Sequence, residues 1–167
     1  MQYTLYILVE NQAGVLSKIS GLFSRRGYNI DSLAVGVTND PRVSRITVVA
    51  NGDEYVVEQI EKQLNKLIPV IKVKRLVEGE FVSRELCLIK VHSSAVKRFE
   101  IIKIAELMQA KVVDVANTTV TLEYCETVEK ISTLLELLKP YGIREVVRTG
   151  TIAIEKGASE ASKYHMV

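Results

Sequence analysis

Tyr3, Leu5, Ile7 and Val9 alternate with Thr4, Tyr6, Leu8 and Glu10, so residues 3–9 read as a strand. After the break at Asn11-Gln12-Ala13-Gly14 the period changes. Val15, Leu16, Ile19, Leu22 and Phe23 share one face of a helix that stops at Gly27. Residues 29–37 and 43–50 read as two further strands, joined by the breaker cluster Thr38-Asn39-Asp40-Pro41. Asp53 and Glu54 open a second helix with Val57, Ile60, Leu64, Leu67 and Ile68 on its apolar face. Pro69 ends it, and residues 70–77 alternate around Lys72, Lys74 and Arg75 as a fourth strand.

This order is βαββαβ, and after the polar joint Glu78-Gly79-Glu80 it starts again. Residues 85–92 predict a strand, with Leu86 and Leu88 opposite Cys87, Ile89 and Val91. Residues 96–109 predict a helix through Val96, Ile101, Ala105 and Met108. A hairpin runs through 111–125 with its turn near Asn117-Thr118. A helix over 128–139 uses Val128, Ile131, Leu134, Leu135 and Leu138, ended by Pro140 and Gly142. One long strand covers 143–156, and the small, polar stretch from Gly157 to Val167 reads as a frayed tail. The prediction is an α+β fold of two ferredoxin-like βαββαβ units, residues 1–78 and 79–167, each with its helices on one face of a sheet. The first strand is apolar on both faces, with Tyr6 and Leu8 opposite Leu5 and Ile7, and the strand at 43–50 repeats this. Its second face needs a cover from the other unit or from a partner chain, which predicts an oligomer.

Composition narrows the chemistry. Twenty-two basic against twenty acidic residues leave a formal charge of +2, without the clustered basic excess of a nucleic-acid binder. No apolar run approaches the roughly 20 residues of a membrane span, and the N-terminus lacks signal-peptide features, so the expected location is the cytoplasm. Cys87 and Cys125 lie in apolar stretches and read as two buried free thiols. No zinc-ligand cluster is present, and the two histidines, His92 at a strand end and His165 in the tail, show no spacing that points to a nucleophilic site. Gly52-Asp53 continues as Glu54-Tyr55, unlike a thiamine-diphosphate motif, and no phosphate loop or dinucleotide fingerprint follows any strand. Arg25-Arg26 reads as a solvated helix end favoured by the dipole, and Lys72, Lys74 and Arg75 as the wet face of an edge strand.

One loop has the makings of a binding site. Gly14 permits a backbone shape that side chains disfavour, where a helix begins with unpaired, partly positive amides suited to a carboxylate. Asn11 and Asn29, read as the ends of neighbouring strands, add neutral hydrogen bonds for an amino group and a carboxylate. The pattern fits a small zwitterion site without a catalytic acid or base. It fits equally a good turn and helix cap.

At these residues a family emerges. Glu10-Asn11-Gln12-Ala13-Gly14-Val15-Leu16-Ser17, followed by Gly21-Leu22-Phe23-Ser24-Arg25-Arg26-Gly27-Tyr28-Asn29-Ile30-Asp31-Ser32-Leu33, resembles the ACT domain. The Arg-Gly-Tyr-Asn-Ile-Asp-Ser-Leu continuation resembles more closely the small regulatory subunits of acetolactate synthase (acetohydroxyacid synthase). Ser44-Arg45-Ile46-Thr47 and the run from Glu58 to Leu67 fit the same family, and Arg84-Glu85-Leu86 fits it less specifically. The resemblance implies that residues 1–78 are an ACT domain for effector binding and dimerisation. It implies a non-catalytic subunit that activates a large catalytic subunit in valine, leucine and isoleucine biosynthesis and confers feedback inhibition by valine. No cofactor is expected on this chain; thiamine diphosphate, Mg and FAD belong to the catalytic partner. Carried over by motif, Asn11, Gly14, Val15 and Leu16 face the effector from one chain of a homodimer, and Asn29 and Ile30 face it from the other. The second unit is left as the candidate for activation. Two rivals stand beside this reading: a stand-alone ACT-type amino-acid sensor acting on another enzyme, and a small enzyme with a titratable cluster around His92, Glu85 or Glu123.

Overall fold

In the computed structural model, which describes residues 1–157, the first alternating run forms strand β1 (Gln2–Glu10) and leads into helix α1 (Val15–Arg26). Strands β2 (Ile30–Val37) and β3 (Val43–Asn51), helix α2 (Glu54–Leu64) and strand β4 (Val70–Arg75) complete the first βαββαβ unit. Its sheet has the order β2-β3-β1-β4 with antiparallel pairing throughout. Gly27 closes α1 in the left-handed region at φ 68°, its amide donating to the carbonyls of Phe23 and Ser24. Asp53 caps α2 by accepting from the Val56 amide at 2.8 Å. The helices bury Ile19, Phe23, Ile60 and Leu64 against Ile7 and Ile46 of the sheet. Because α2 ends at Leu64, Ile68 falls off its predicted face and is 96 % exposed, while Leu67 still packs.

The second unit repeats the plan with β5 (Phe81–His92), α3 (Arg98–Met108), β6 (Lys111–Val115), β7 (Thr119–Glu126), α4 (Val128–Leu138) and β8 (Ile143–Arg148). Its strand order is β6-β7-β5-β8, antiparallel, with a last strand β9 (Ile152–Glu155) that pairs with β5. Cys87, Ile89 and Val91 face the core with Ile101, Leu122 and Ile131. Two expectations fail here. Val96 precedes α3 instead of lying on it and is exposed, and Cys125 points outward from β7, so only Cys87 is a buried thiol. Burial pushes the Cys87 thiol above its usual range. His92 ends β5, half-buried, its Nδ1 at 3.3 Å from Arg144 Nη2. His165 and the predicted frayed tail beyond Gly157 lie outside the described residues.

The predicted long strand at 143–156 is broken. Gly150 turns the chain at φ 85°, and buried Glu85 pins the turn. Its carboxylate accepts from Arg148 Nε and Nη2 at 2.8 and 2.7 Å and from the Gly150 amide at 3.3 Å. The side-chain bond to Glu85 holds the Arg148 guanidinium above its ordinary range. The chain therefore divides at two places, after Val82 and after Ile152, and residues 153–157 belong to the first unit, where the single predicted boundary at 78/79 had assigned them to the second.

That return covers the back of the first sheet. Ala153 packs with Tyr6, Leu8, Val43 and Leu76, and Phe81 lies against them. Arg45 Nη2 donates to the Ala153 carbonyl at 2.8 Å while its guanidinium sits 3.9 Å from the centre of the Tyr6 ring. Lys74 pairs with Glu155, and the Lys156 amide donates to the Glu80 carbonyl at 2.8 Å. Lys74 is thus a clasp for the returning strand as well as an edge residue. Tyr6 and Leu8, predicted to need the other unit or a partner chain, are covered by Phe81 and Ala153, which lie within the predicted 79–167 stretch of this same chain. The two-faced apolar strand therefore supplies no argument for an oligomer.

Candidate functional site

The loop after β1 is held from two sides. The Asn11 amide donates to the Arg42 carbonyl at 2.7 Å, and its side-chain Nδ2 donates to the Pro41 carbonyl at 2.9 Å. Those carbonyls sit in the β2–β3 turn, which Asp40 braces by accepting from the Arg42 backbone amide, Nε and Nη2 at 2.9, 3.0 and 2.7 Å. The Arg42 side chain holds the Asp40 carboxyl well down, at about 2. With its amide nitrogen directed at Pro41, Asn11 keeps its side-chain oxygen without a partner among the described residues.

Gly14 then takes φ 82°, ψ −6°, and α1 starts with no side-chain cap and no acidic residue in its first turn. A Cβ at Gly14 would meet nothing within 4 Å, so the glycine is required by its dihedral and not by crowding. Among the described residues the Leu16 and Ser17 amides have no hydrogen-bond partner. Val15 is buried, whereas Leu16 is 43 % exposed beside those free amides. The local chemistry is an uncapped, partly positive helix end, an apolar side chain and an amide oxygen. It suits a small zwitterion with an apolar side chain.

The other two predicted residues are elsewhere. Asn29 precedes β2 and donates from Nδ2 to Asp31 Oδ1 at 2.7 Å; Ile30 packs on the first core. β1 and β2 are not neighbours, because β3 lies between them. Nor are the two asparagines at one end of the sheet. Ile30 and Tyr3 both pair with Ala50, so β2 starts level with the start of β1, whereas Glu10 pairs with Val43 at the far end. The separation along the strands is roughly 23 Å. The physical reason is the crossover: α1 carries the chain back to the end of the sheet where β1 began, and β2 sets out parallel to β1. One chain therefore holds Asn11, Gly14, Val15 and Leu16 together and places Asn29 and Ile30 apart from them.

The two edges of this sheet differ. β4 carries half-buried Lys72, Lys74 and Arg75, charged protection of the kind usual at a sheet edge, with Lys74 paired to Glu155 and Arg75 to Glu54. β2 from Ser32 to Val37 has no charge and no proline, and Val35 and Val37 are 47 % and 58 % exposed. Sequence reasoning assigned no role to Asp31 or to the turn carbonyls that orient Asn11. The Asn-x-Asp spacing at a strand start was the available signal for the former; the latter had none. Among the described residues no group of three or more His, Cys, Asp and Glu could hold a metal, and no helix is long and apolar enough to cross a membrane.

Comparison with known proteins covers both units. The family profile described as the AHAS small subunit-like ACT domain matches residues 5–72, and that described as the small subunit of acetolactate synthase matches residues 84–157. The acetolactate synthase small subunit of Mycolicibacterium smegmatis is 50 % identical over 155 residues, covering 93 % of this chain and 91 % of that one. A "Probable acetolactate synthase small subunit" of Archaeoglobus fulgidus is 46 % identical over 157 residues, covering 94 % and 98 %. The crystal structure of the acetolactate synthase small subunit of Thermotoga maritima superposes with a TM-score of 0.88 at 34 % identity, covering 95 % of this chain and 99 % of that one.

Proposed function

The chain belongs to the family of acetolactate synthase small subunits, and from that premise we propose that it is the feedback-regulatory subunit of that enzyme, binding valine at a site shared by two copies of itself. The partner is the large catalytic subunit, which this chain activates and which holds the thiamine diphosphate, Mg and FAD; this chain needs no cofactor of its own. The process served is the biosynthesis of valine, leucine and isoleucine.

The observation that carries the reading is the split site. Asn11 and the open α1 terminus lie at one end of the sheet, Asn29 and Ile30 at the other, and β2 from Ser32 to Val37 is an uncharged, unprotected edge. Antiparallel pairing of β2 with the same strand of a second copy sets the start of the partner's β2 beside the end of this one. That is the end where Asn11 and Gly14 sit. The two half-sites then face each other across three strand spacings, about 14 Å, room for an amino acid reached by side chains from both copies. The twofold axis makes two such sites per dimer. The effector carboxylate takes the Leu16 and Ser17 amides, and its apolar side chain lies against Leu16 and the partner copy's Ile30. Valine favours one dimer arrangement and the catalytic subunit another, a coupling of about 1–3 kcal/mol.

Calorimetric titration with valine, with threonine as the near-isosteric control, tests the site. One saturable site per chain with much weaker threonine binding is expected. Equal binding of the two would remove the apolar side-chain pocket from the reading, and failure of the chain to co-purify with a catalytic subunit would favour a stand-alone sensor.

A further inference from the structure

We propose that Asp31 is a positioning residue of the effector site, aiming the Asn29 side-chain oxygen at the ligand's ammonium group and so selecting amino acids over their deaminated analogues. The proposal rests on the two-copy site described above.

Asp31 is the extra residue of a β-bulge, since the β2–β3 register shifts between Ile30 and Ser32. A bulge frees a side chain from the alternation of its strand and re-aims it. Here the freed carboxylate gathers three carboxamides. Oδ1 accepts from Asn29 Nδ2 at 2.7 Å, and Oδ2 accepts from Gln2 Nε2 at 3.3 Å and from Asn51 Nδ2. Gln2 begins β1 and Asn51 ends β3, and the two are paired across the ladder. The carboxylate is thus tied to two other strands and stands as a fixed acceptor at the start of the edge strand.

An ionised carboxylate only accepts, so the side of Asn29 that faces it is the amide nitrogen. Its oxygen then points the other way, and among the described residues that oxygen has no donor. Asp31 thereby determines which end of Asn29 is offered. An amide oxygen welcomes an ammonium, which only donates. It meets a hydroxyl, able to donate or accept, with little preference. Asparagine in place of Asp31 keeps the shape but turns one acceptor into a donor. Donors face both positions, so one side of the latch loses its bond and Asn29 is free to turn over.

The test titrates the full chain with valine and with 2-hydroxy-3-methylbutanoate, its hydroxy analogue, for the wild type, Asp31→Asn, Asn29→Ala and Asn51→Ala, with thermal melts as a folding control. Asp31→Asn is expected to lower the preference for valine over the hydroxy acid by about tenfold, the scale of one charge-assisted hydrogen bond. Asn51→Ala, which cuts a tie to β3 and leaves the Asp31–Asn29 bond, is expected to keep the wild-type preference. If Asp31→Asn weakens both ligands equally, or keeps the wild-type preference while Asn29→Ala loses it, the positioning role is overturned and the site stands. If Asn29→Ala binds valine as the wild type does, the two-copy site itself fails and this proposal with it.

Discussion

Replacing Gly14 by aspartate places a fixed negative charge where the effector carboxylate is expected. The fold is not the casualty. Gly14 has φ 82° and empty space around its Cβ position, so a side chain meets a conformational cost of about 1–2 kcal/mol and no clash, and Asp and Asn tolerate this region best. An acidic group at the uncapped start of α1 returns about 0.3–1 kcal/mol through the helix dipole. The loss appears in binding. Two carboxylates about 5 Å apart repel by about 3 kcal/mol at an effective dielectric of 20 and by about 1 kcal/mol in bulk water. Affinity for valine is therefore expected to fall by about 4-fold to 250-fold, with activation of the catalytic subunit largely kept. Gly14→Asn separates charge from shape, because it is isosteric with aspartate and carries no charge. Calorimetric titration of both variants, with valine inhibition of the reconstituted enzyme, reads the difference. Wild-type affinity in Gly14→Asp would refute the placement of the carboxylate at the α1 terminus. An equal loss in both variants would assign the effect to loop shape.

Val35→Lys with Val37→Lys charges the exposed β2 edge; sedimentation velocity is expected to show dimerisation weakened by about tenfold or more, and an unchanged dimer would place the interface elsewhere. Arg148→Met leaves Glu85 buried without its partner. Urea unfolding should show a loss of about 3 kcal/mol, the low end for a broken buried pair because the Arg148 side chain is itself 36 % exposed. The Asp40 carboxyl should titrate at about 2 by NMR and return to the ordinary range near 4 in Arg42→Ala. Its folded value is depressed, so its contribution to stability is complete above the unfolded value near 4 and is lost as pH falls toward 2.

Within each unit, local pattern was enough to find the elements. The alternation through Ile7 and Val9, the helical spacing of Ile19, Leu22 and Phe23, and the stops at Gly27 and Pro69 are nearest-neighbour signals, and the strands and helices follow them to within a few residues. The loop from Asn11 to Leu16 was legible for the same reason, since a glycine before a helical period marks an open helix terminus whatever surrounds it. The continuation from Arg26 to Leu33 was specific enough to point to the family. Ile68 and Val96 went astray because period assigns a face to a helix without fixing where the helix ends.

Tertiary structure decided what covers each face and which ends meet. Tyr6 and Leu8 announced a second buried face of β1, but no local signal named its cover; that depends on the turn at Gly150, pinned by Glu85 from sixty-five residues away. Cys125 sits in an apolar run and still faces outward, because strand parity relative to the helices is set by pairing across the sheet. Asn11 and Asn29 each read as binding residues, and only the strand order, with β3 between β1 and β2 and α1 returning the chain to its starting end, put them roughly 23 Å apart. Side-chain chemistry and period are properties of short windows of chain. Which windows come together is set by long-range pairing, and that pairing is what places Asn11 and Asn29 at opposite ends of one sheet.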